Sequence, residues 1–424
     1  MAFLQTYAKR KSFLVPASLR PLTERDFGIF WMGAFLSNIG FWIQAVGQGW
    51  QVLQLTNSAL LLGLVGFAST LPNIVFSLLG GVVADRFNRR RLLFVTQAVY
   101  MSTAALLGLL TSLHVIAVWQ IILLALVNGT CSSVGFPAWQ AFIGELVGPE
   151  ELKQGIALNS TQFNLSRVVG PAIGGFSIAL FGIAGNYYLN ALSYLAVLLP
   201  LLFIHPSFTH ERVQEKRESM WRGLGVGLRL VREQPLLQLA LLLQFLVAFL
   251  VYPYTTLLPI FAGNIFRVGA QGLGVLNAAA GTGALLGALL LVMFSQRLRH
   301  NLRVLISVCA VGGATCLVFA LSRNLQASLL LLILLGSCTV ASSTVTNMTV
   351  QIMTPEAVRG RVLSIWVLIT FGIAPFGTLV AGWAAQSIGA PLALGAGGAI
   401  CALGVLTIAF FQKRPWSSIQ TVTP

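Results

Sequence analysis

Few residues in this chain could do chemistry, and one of them stands alone. Arg167 lies in the otherwise apolar, glycine-rich stretch NLSRVVGPAIGG, from Asn164 to Gly175. A guanidinium is a permanent cation with a planar fork of donors, suited to phosphate, carboxylate or catecholate oxygens. Along an earlier apolar stretch Gln44, Gln48 and Gln51 follow at i, i+4 and i+7, so they share one face of a helix, with Asn38 and Trp42 nearby. Asn128, Gln140, Gln244, Tyr252, Tyr254, Thr344 and Asn347 place amides, hydroxyls and phenols in other apolar stretches. Amides and aromatic rings together suit a large amphipathic ligand. For any one of them, hydrogen bonding between helices is the commoner use.

Covalent chemistry has no comparable set. No paired acids, histidine cluster or nucleophile with its base occur at matching depth, so an enzyme is not expected. The five cysteines, Cys131, Cys309, Cys316, Cys338 and Cys401, sit in apolar runs without zinc or redox spacing, so neither metal nor cofactor is expected. No GxxxxGK[ST] sequence is present, which argues against ATP hydrolysis by this chain.

These groups must be positioned by elements that live in lipid. The chain is 56% hydrophobic and 9% charged, against about a quarter charged for soluble domains. Residues 1–25 are polar and basic with no apolar core of signal length, so the first apolar run should stay as a spanning helix. Twelve apolar segments follow, each near the ~20 residues a crossing needs: 26–56, 60–84, 92–113, 116–145, 152–181, 186–204, 236–261, 273–295, 302–321, 327–353, 358–388 and 392–411. Pro253 and Pro259 should disturb the seventh.

Charge sets the orientation. With both termini in the cytoplasm, all but three of the 26 Lys and Arg fall inside; Arg267 and Arg323 lie outside and Arg167 in a span. That asymmetry is the positive-inside pattern. It accounts for the net charge of +15 through an anionic inner leaflet, without nucleic acid as a partner. All 11 acids are cytoplasmic or at cytoplasmic helix ends. Arg167, sixteen residues past Glu151 and so about 24 Å along a helix, has no acid at its depth.

The chain repeats itself. LGLVGF…ADRFNRRRLL (62–93) resembles LGVLNA…SQRLRHNLRVL (273–305), and GPEELKQGIAL (148–158) resembles TPEAVRGRVLSI (354–365). The steps from Arg86 to Arg297 and from Pro149 to Pro355 are close to half of the chain. Two parallel six-helix copies around a central site form a plan suited to rocking of one half against the other. The expected layout is a cytoplasmic segment 1–25, a bundle 26–205, a linker 206–235, a bundle 236–411 and a cytoplasmic tail 412–424. In the linker Met220, Leu224, Leu228 and Val231 recur at helical spacing among basic residues. A solvated linker is favoured there over a lipid or partner site.

The loop GGVVADRFNRRR (80–91) is the most specific motif. It resembles the cytoplasmic loop motif of the major facilitator superfamily, and the resemblance extends from Arg20 to Lys413. Asn88 stands where that motif commonly has Gly, and Gln296 replaces Asp85 in the second copy. The stretches 37–66 and 136–175 further resemble the branch containing the enterobactin exporter and related siderophore and multidrug efflux carriers. RVVGPAIGG also resembles that superfamily's antiporter motif, with Gly170, Pro171, Gly174 and Gly175 as the helix-packing residues.

The resemblance implies an all-α integral membrane protein: twelve spanning helices in two pseudo-symmetric six-helix bundles, the major facilitator fold. It implies a conformational latch made of Gly81, Asp85, Arg86, Arg89, Arg90 and Glu356. It implies a secondary transporter of the bacterial inner membrane that exports an amphipathic, and in one reading anionic, siderophore or drug-like compound. Substrate-binding candidates are Arg167, Gln44, Gln48, Asn128, Tyr252, Tyr254 and Asn347. A proton is the expected coupling ion, with Asp26, Asp85 or Glu145 to titrate, and a monomer among anionic lipids is the expected state. An importer or uniporter would share this architecture; a receptor or scaffold would usually carry larger extramembrane domains. For Arg167 the candidate partners are backbone carbonyls, the polar run Asn159, Gln162, Asn164 and Ser166, water or an anionic substrate, and two readings stay open: it binds substrate, or it pins helices together or reaches Glu145.

Overall fold

A backbone in lipid must satisfy its own hydrogen bonds, and this chain does so with helices. The computed structural model describes residues 16–204, 220–298 and 302–411, and no strand occurs among them. Of some helical residues only the backbone is described. Ten described helical stretches are long and apolar enough to cross a bilayer. After a short 3₁₀ turn at Ala17–Thr23, the helices are α1 Arg25–Thr56, α2 Ala59–Arg86, α3 Arg89–Ser112 and α4 Val118–Phe203. They continue with α5 Met220–Glu233, α6 Pro235–Leu246, α7 Tyr254–Ile260, α8 Gly269–Leu298 and α9 Leu302–Leu321. The last four are α10 Leu325–Met353, α11 Glu356–Val367, α12 Ala374–Ile388 and α13 Ala390–Phe411.

At 86 residues, α4 is far longer than one crossing requires. Its backbone leaves the helical region at Gly148 (φ 73°) and Gly182 (φ 69°). Those left-handed angles strain any residue with a Cβ. Pro149, with no N–H to leave unpaired, then opens the next stretch. The stretch Pro235–Ile265 is interrupted differently. Wide π turns at Val247–Val251 and Phe261–Ile265 flank α7, next to Pro253 and Pro259, and a third at Leu368–Gly372 precedes Pro375.

The described residues form two compact units: those of Met1–Gln48 with Pro72–Gln214, and those of Gly49–Leu71 with Glu215–Pro424. The division departs from the sequence repeat at one place, because the C-terminal end of α1 and the start of α2 group with the second copy.

In the first unit, helices approach through glycine. A Cβ on Gly170 would lie 2.5 Å from Trp42 Cβ, and one on Gly174 would lie 3.0 Å from Ile43 Cα. Next to this contact sits Asn186, fully buried. Its Nδ2 donates to the carbonyls of Ile43 and Gly174, both at 3.1 Å, and its Oδ1 accepts from Ser177 Oγ at 2.5 Å. One amide thus ties α1 to two stretches of α4 in a medium that offers no competing partner. In the second unit, Ser337 Oγ donates to the Gly283 carbonyl at 2.8 Å and holds α10 against α8.

Replacing Asn186 by Ala removes its bonds to the two carbonyls and to Ser177 Oγ, which keeps only the Gly174 carbonyl at 3.1 Å. The expected cost is about 1–3 kcal/mol, read as a lower unfolding temperature of the purified protein in detergent, whereas Asn186→Asp should keep part of the network.

Candidate functional site

The spacing of RVVGPAIGG places Arg167 on the face that Gly170 and Gly174 turn toward α1, one turn before the close contact. Arg167 Cζ lies 5.8 Å from the centre of the Trp42 ring, within cation–π range. The Phe163 ring, one turn earlier, is 6.1 Å from the same indole. Arg167 is half-buried and has no ion-pair partner among the described residues. The Trp42 indole N–H is buried and likewise lacks an acceptor there.

The groups expected to pin Arg167 are otherwise engaged. Asn159 Oδ1 accepts from Trp139 Nε1 at 3.1 Å and from Gln162 Nε2 at 3.2 Å. Gln162 Oε1 accepts from Asn38 Nδ2 at 3.1 Å, and Ser166 Oγ donates to the Gln162 carbonyl at 2.8 Å. Asn164 bonds back to the Ser160 carbonyl at 2.8 Å. Glu145 is paired with Arg89 at 2.6 Å. The helix-pinning alternative therefore rests on the indole face of Trp42 and on none of the polar groups proposed for it.

The other candidates divide between the units. In the first, Gln44 is 8% exposed, and its Oε1 accepts from Asn190 Nδ2 at 2.6 Å, which turns it into the helix packing. Gln48 is half-buried. Asn128 Oδ1 accepts from Thr103 Oγ1 at 2.7 Å. In the second unit Tyr254 is fully buried in the core while Tyr252 is 40% exposed. Asn347 Oδ1 accepts from Gln351 Nε2 at 2.5 Å. Gln244, a polar residue of the seventh segment, is buried with an Oε1 that has no donor among the described residues.

The loop motif builds a staple within the first unit. Asn88 Oδ1 accepts from the Arg91 N–H at 3.1 Å and caps α3, which is why a capping residue stands where glycine is usual. Arg89 and Glu145 have side chains only 21% and 13% exposed. Arg90 Nε donates to the Leu201 carbonyl, and its Nη2 donates to the Leu202 carbonyl at 2.6 Å. Those carbonyls end α4 and have no intrahelical partner. Beneath them Phe27, Phe30, Leu93, Phe142, Ile143 and Leu201 form a continuous apolar cluster. Of the other expected latch residues, Gly81 and Asp85 lie outside the residues whose side chains are described, and Arg86 is exposed. Glu356 is 90% exposed and, among the described residues, pairs with Arg359 of its own helix at 3.6 Å.

A second cluster, which the sequence did not signal, gathers in the second unit around the turn between α1 and α2. Gln386 Oε1 of α12 accepts from Ser58 Oγ at 2.9 Å and from the Ala59 N–H at 3.0 Å, so it caps α2. Asn264 Nδ2 donates to Asn57 Oδ1 at 2.9 Å. Below this clasp a Cβ on Gly63 would lie 3.3 Å from Gly382 Cα, and the rings of Phe67 and Phe376 meet edge-on at 5.3 Å. Only their position in space unites these residues, because Ser58 and Gln386 are 328 positions apart.

A bundle of apolar helices that carries a half-buried arginine and polar fastenings at helix ends fits a solute carrier. The chain belongs to the transmembrane secretion effector family of the major facilitator superfamily, whose model matches residues 16–423. It is a multi-pass membrane transporter and not an enzyme. It is 30% identical to an enterobactin exporter, EntS, of Shigella boydii over 363 residues, 84% of each chain. It is 26% identical to a staphyloferrin A transporter of Staphylococcus aureus over 352 residues, 83% of this chain and 87% of that one. Among solved structures it shares its fold with the nucleoside transporter NupG (TM-score 0.71, 14% identity, 92% and 100% of the two chains). A bacterial homologue of the lysosomal transporter Spinster is similar (TM-score 0.71, 13% identity, 92% and 96%).

Reversing one charge of the staple should be more damaging than removing it. Arg89→Glu places two carboxylates together and should sharply reduce the yield of monodisperse protein, while the double reversal Arg89→Glu with Glu145→Arg should restore much of it. Size-exclusion chromatography of matched expressions checks both.

Proposed function

We propose that this protein is a twelve-helix secondary transporter of a bacterial inner membrane, with both termini in the cytoplasm. It exports an amphipathic anion, a siderophore or a drug-like compound, by proton antiport. The breaks at Gly148 and Gly182 support reading α4 as three crossings. The bundles 26–205 and 236–411 are the moving halves, joined by the linker 206–235. Export follows from the similarity to an enterobactin exporter, and the siderophore class from that relative together with the staphyloferrin A transporter.

The observation that carries the substrate's charge is Arg167. An arginine in mid-span costs about 2.5–3.5 kcal/mol on insertion scales and normally faces a partner or a cavity. Here the indole face of Trp42 is its protein contact, and its donors have no carboxylate among the described residues. An arriving carboxylate or catecholate would satisfy them. Gln48, Asn128, Tyr252 and Asn347 are the further substrate contacts. Gln44 and Tyr254 act through helix packing, given their burial. The clasp at Ser58, Asn57, Asn264 and Gln386 closes one state of the transport cycle and opens in another. The staple at Arg89, Arg90 and Glu145 works with Gly81, Asp85, Arg86 and Glu356 as the conformational latch.

Comparative mass spectrometry of cells and medium from a deletion strain tests this reading. A metabolite should accumulate inside the cells, and wild type should restore its release. Arg167→Gln at matched membrane level should reduce release by about 10- to 100-fold, as expected when a charge-assisted hydrogen bond of ~1.5–3 kcal/mol is lost. Loss of an intracellular metabolite on deletion would reverse the direction. Full rescue by Arg167→Gln would remove the anion-binding role.

Motion of the clasp has its own test. Asn57→Cys with Asn264→Cys, joined by a short bis-thiosulfonate linker, should stop turnover in a way that reducing agent reverses. The native cysteines are buried or half-buried, which limits competing modification.

A further inference from the structure

Among its described side chains, the linker helix α5 packs one apolar face on the protein and leaves the other side, basic with an aliphatic residue on each flank, exposed. Gly227 is buried against α11, where a Cβ would lie 3.1 Å from Ile365 Cδ1 and 3.2 Å from the Arg361 carbonyl. Leu230 and Val231 pack with it on the cluster of Leu237, Leu241, Val350, Val362 and Ile365. Of the stripe expected from the sequence, Met220 and Leu224 lie outside the residues whose side chains are described and Val231 faces protein; Leu228 is 44% exposed, and Val226, 41% exposed, lies on the opposite flank of the side turned away from α11. On that exposed side Arg229 and Arg232 are exposed too, and neither has an ion-pair partner among the described residues. Glu233 ends α5 and Pro235 begins the next membrane-crossing stretch. Two arginines and two aliphatic side chains are therefore held within a few residues of the point where the chain enters lipid.

We infer that this face of α5 is a docking surface for the anionic headgroups of the inner leaflet. Val226 and Leu228 would lie at the glycerol level, and Arg229 and Arg232 would bind lipid phosphates. The chemistry fits on both counts. Guanidinium forks pair bidentately with phosphate, and a basic amphipathic helix lies in the interface with its apolar residues buried among the upper acyl segments. Attraction to an anionic leaflet contributes on the order of 1 kcal/mol per arginine, too little to anchor a free helix. It is enough to bias a helix already seated on α11. Because that seat is on the second unit, headgroup charge would act on that unit. The inference rests on the proposed placement of the linker on the cytoplasmic side of the membrane; it is independent of the substrate and of the direction of transport.

The test uses the full-length protein in nanodiscs of pure phosphatidylcholine or of phosphatidylcholine with 30% phosphatidylglycerol. Leu228→Cys, labelled with an environment-sensitive fluorophore, should be quenched several-fold more by lipids spin-labelled near the headgroup than by an aqueous quencher. The preference should be larger with phosphatidylglycerol. Native mass spectrometry should show fewer bound phosphatidylglycerol molecules on Arg229→Gln with Arg232→Gln than on wild type, with the same unfolding temperature in detergent. Stronger aqueous quenching of the label in both lipids, or unchanged lipid counts for a stably folded double variant, would overturn the proposal. Protection of the label from both quenchers would do so as well, since it would mean that protein covers this face. If the double variant fails to fold, Arg229→Lys with Arg232→Lys, which keeps charge but loses the fork, should give intermediate lipid counts.

Discussion

Polar groups carried into lipid have no solvent to fall back on, and most of this structure is the consequence. Backbone groups are satisfied by helix, and side-chain amides by other helices. Asn186 ties three stretches together, and Asn190 holds Gln44. A chain of bonds runs from Asn38 through Gln162 to Asn159, which also accepts from Trp139. Such hydrogen bonds contribute only about 0.6 kcal/mol each on average, so their value lies as much in fixing which helix meets which. Glycine allows them to form, because at Gly170 and Gly174 any side chain would hold α1 too far away for Asn186 to reach the Ile43 carbonyl. Arg167 is the exception that this economy exposes. The same close contact that completes the amide network brings a guanidinium to an indole face and gives it no carboxylate.

Much of this was legible in the sequence because lipid imposes a length and a composition. The apolar runs, the breaks at Gly148 and Gly182 and the irregular seventh segment all follow from local properties of glycine, proline and hydrophobic stretches. Arg167 was legible for the same reason, since a lone charge in an apolar run is visible without knowing its neighbours. The capping function of Asn88 was local as well, but a motif comparison presents it as a departure and hides its use.

Neighbours were not legible. Gln44, Gln48 and Gln51 share a face by periodicity, yet α1 is long enough to serve both units. Gln44 packs toward Asn190 in the first, while Gly49–Leu71 groups with the second. Helical spacing says that residues share a face and is silent about what the face meets. The α5 stripe fails for a related reason. Lipid and protein interior are both apolar, so the spacing of aliphatic residues cannot tell Val231, which packs on protein, from Leu228, which does not. Pairings across large separations, Arg89 with Glu145 or Ser58 with Gln386, carry no local signal at all.

The two copies of the repeat are fastened differently, and that difference bears on how they could move. In the first copy the loop motif locks α3 to two points of α4, one just before the break at Gly148 and one at its C-terminal end, through a half-buried ion pair and two charge-assisted bonds to carbonyls. In the second copy Glu356 and Arg359, near the counterpart of that region, make a loose and exposed pair. There α11 is braced by α5, an element that has no equivalent in the repeat. A half-buried ion pair is costly to break one partner at a time, so the first fastening resists partial opening. An apolar contact through one glycine and two aliphatic side chains has no such threshold and can slide or tilt. The proposed rocking motion needs both properties, one half that keeps its shape and one whose fastening yields.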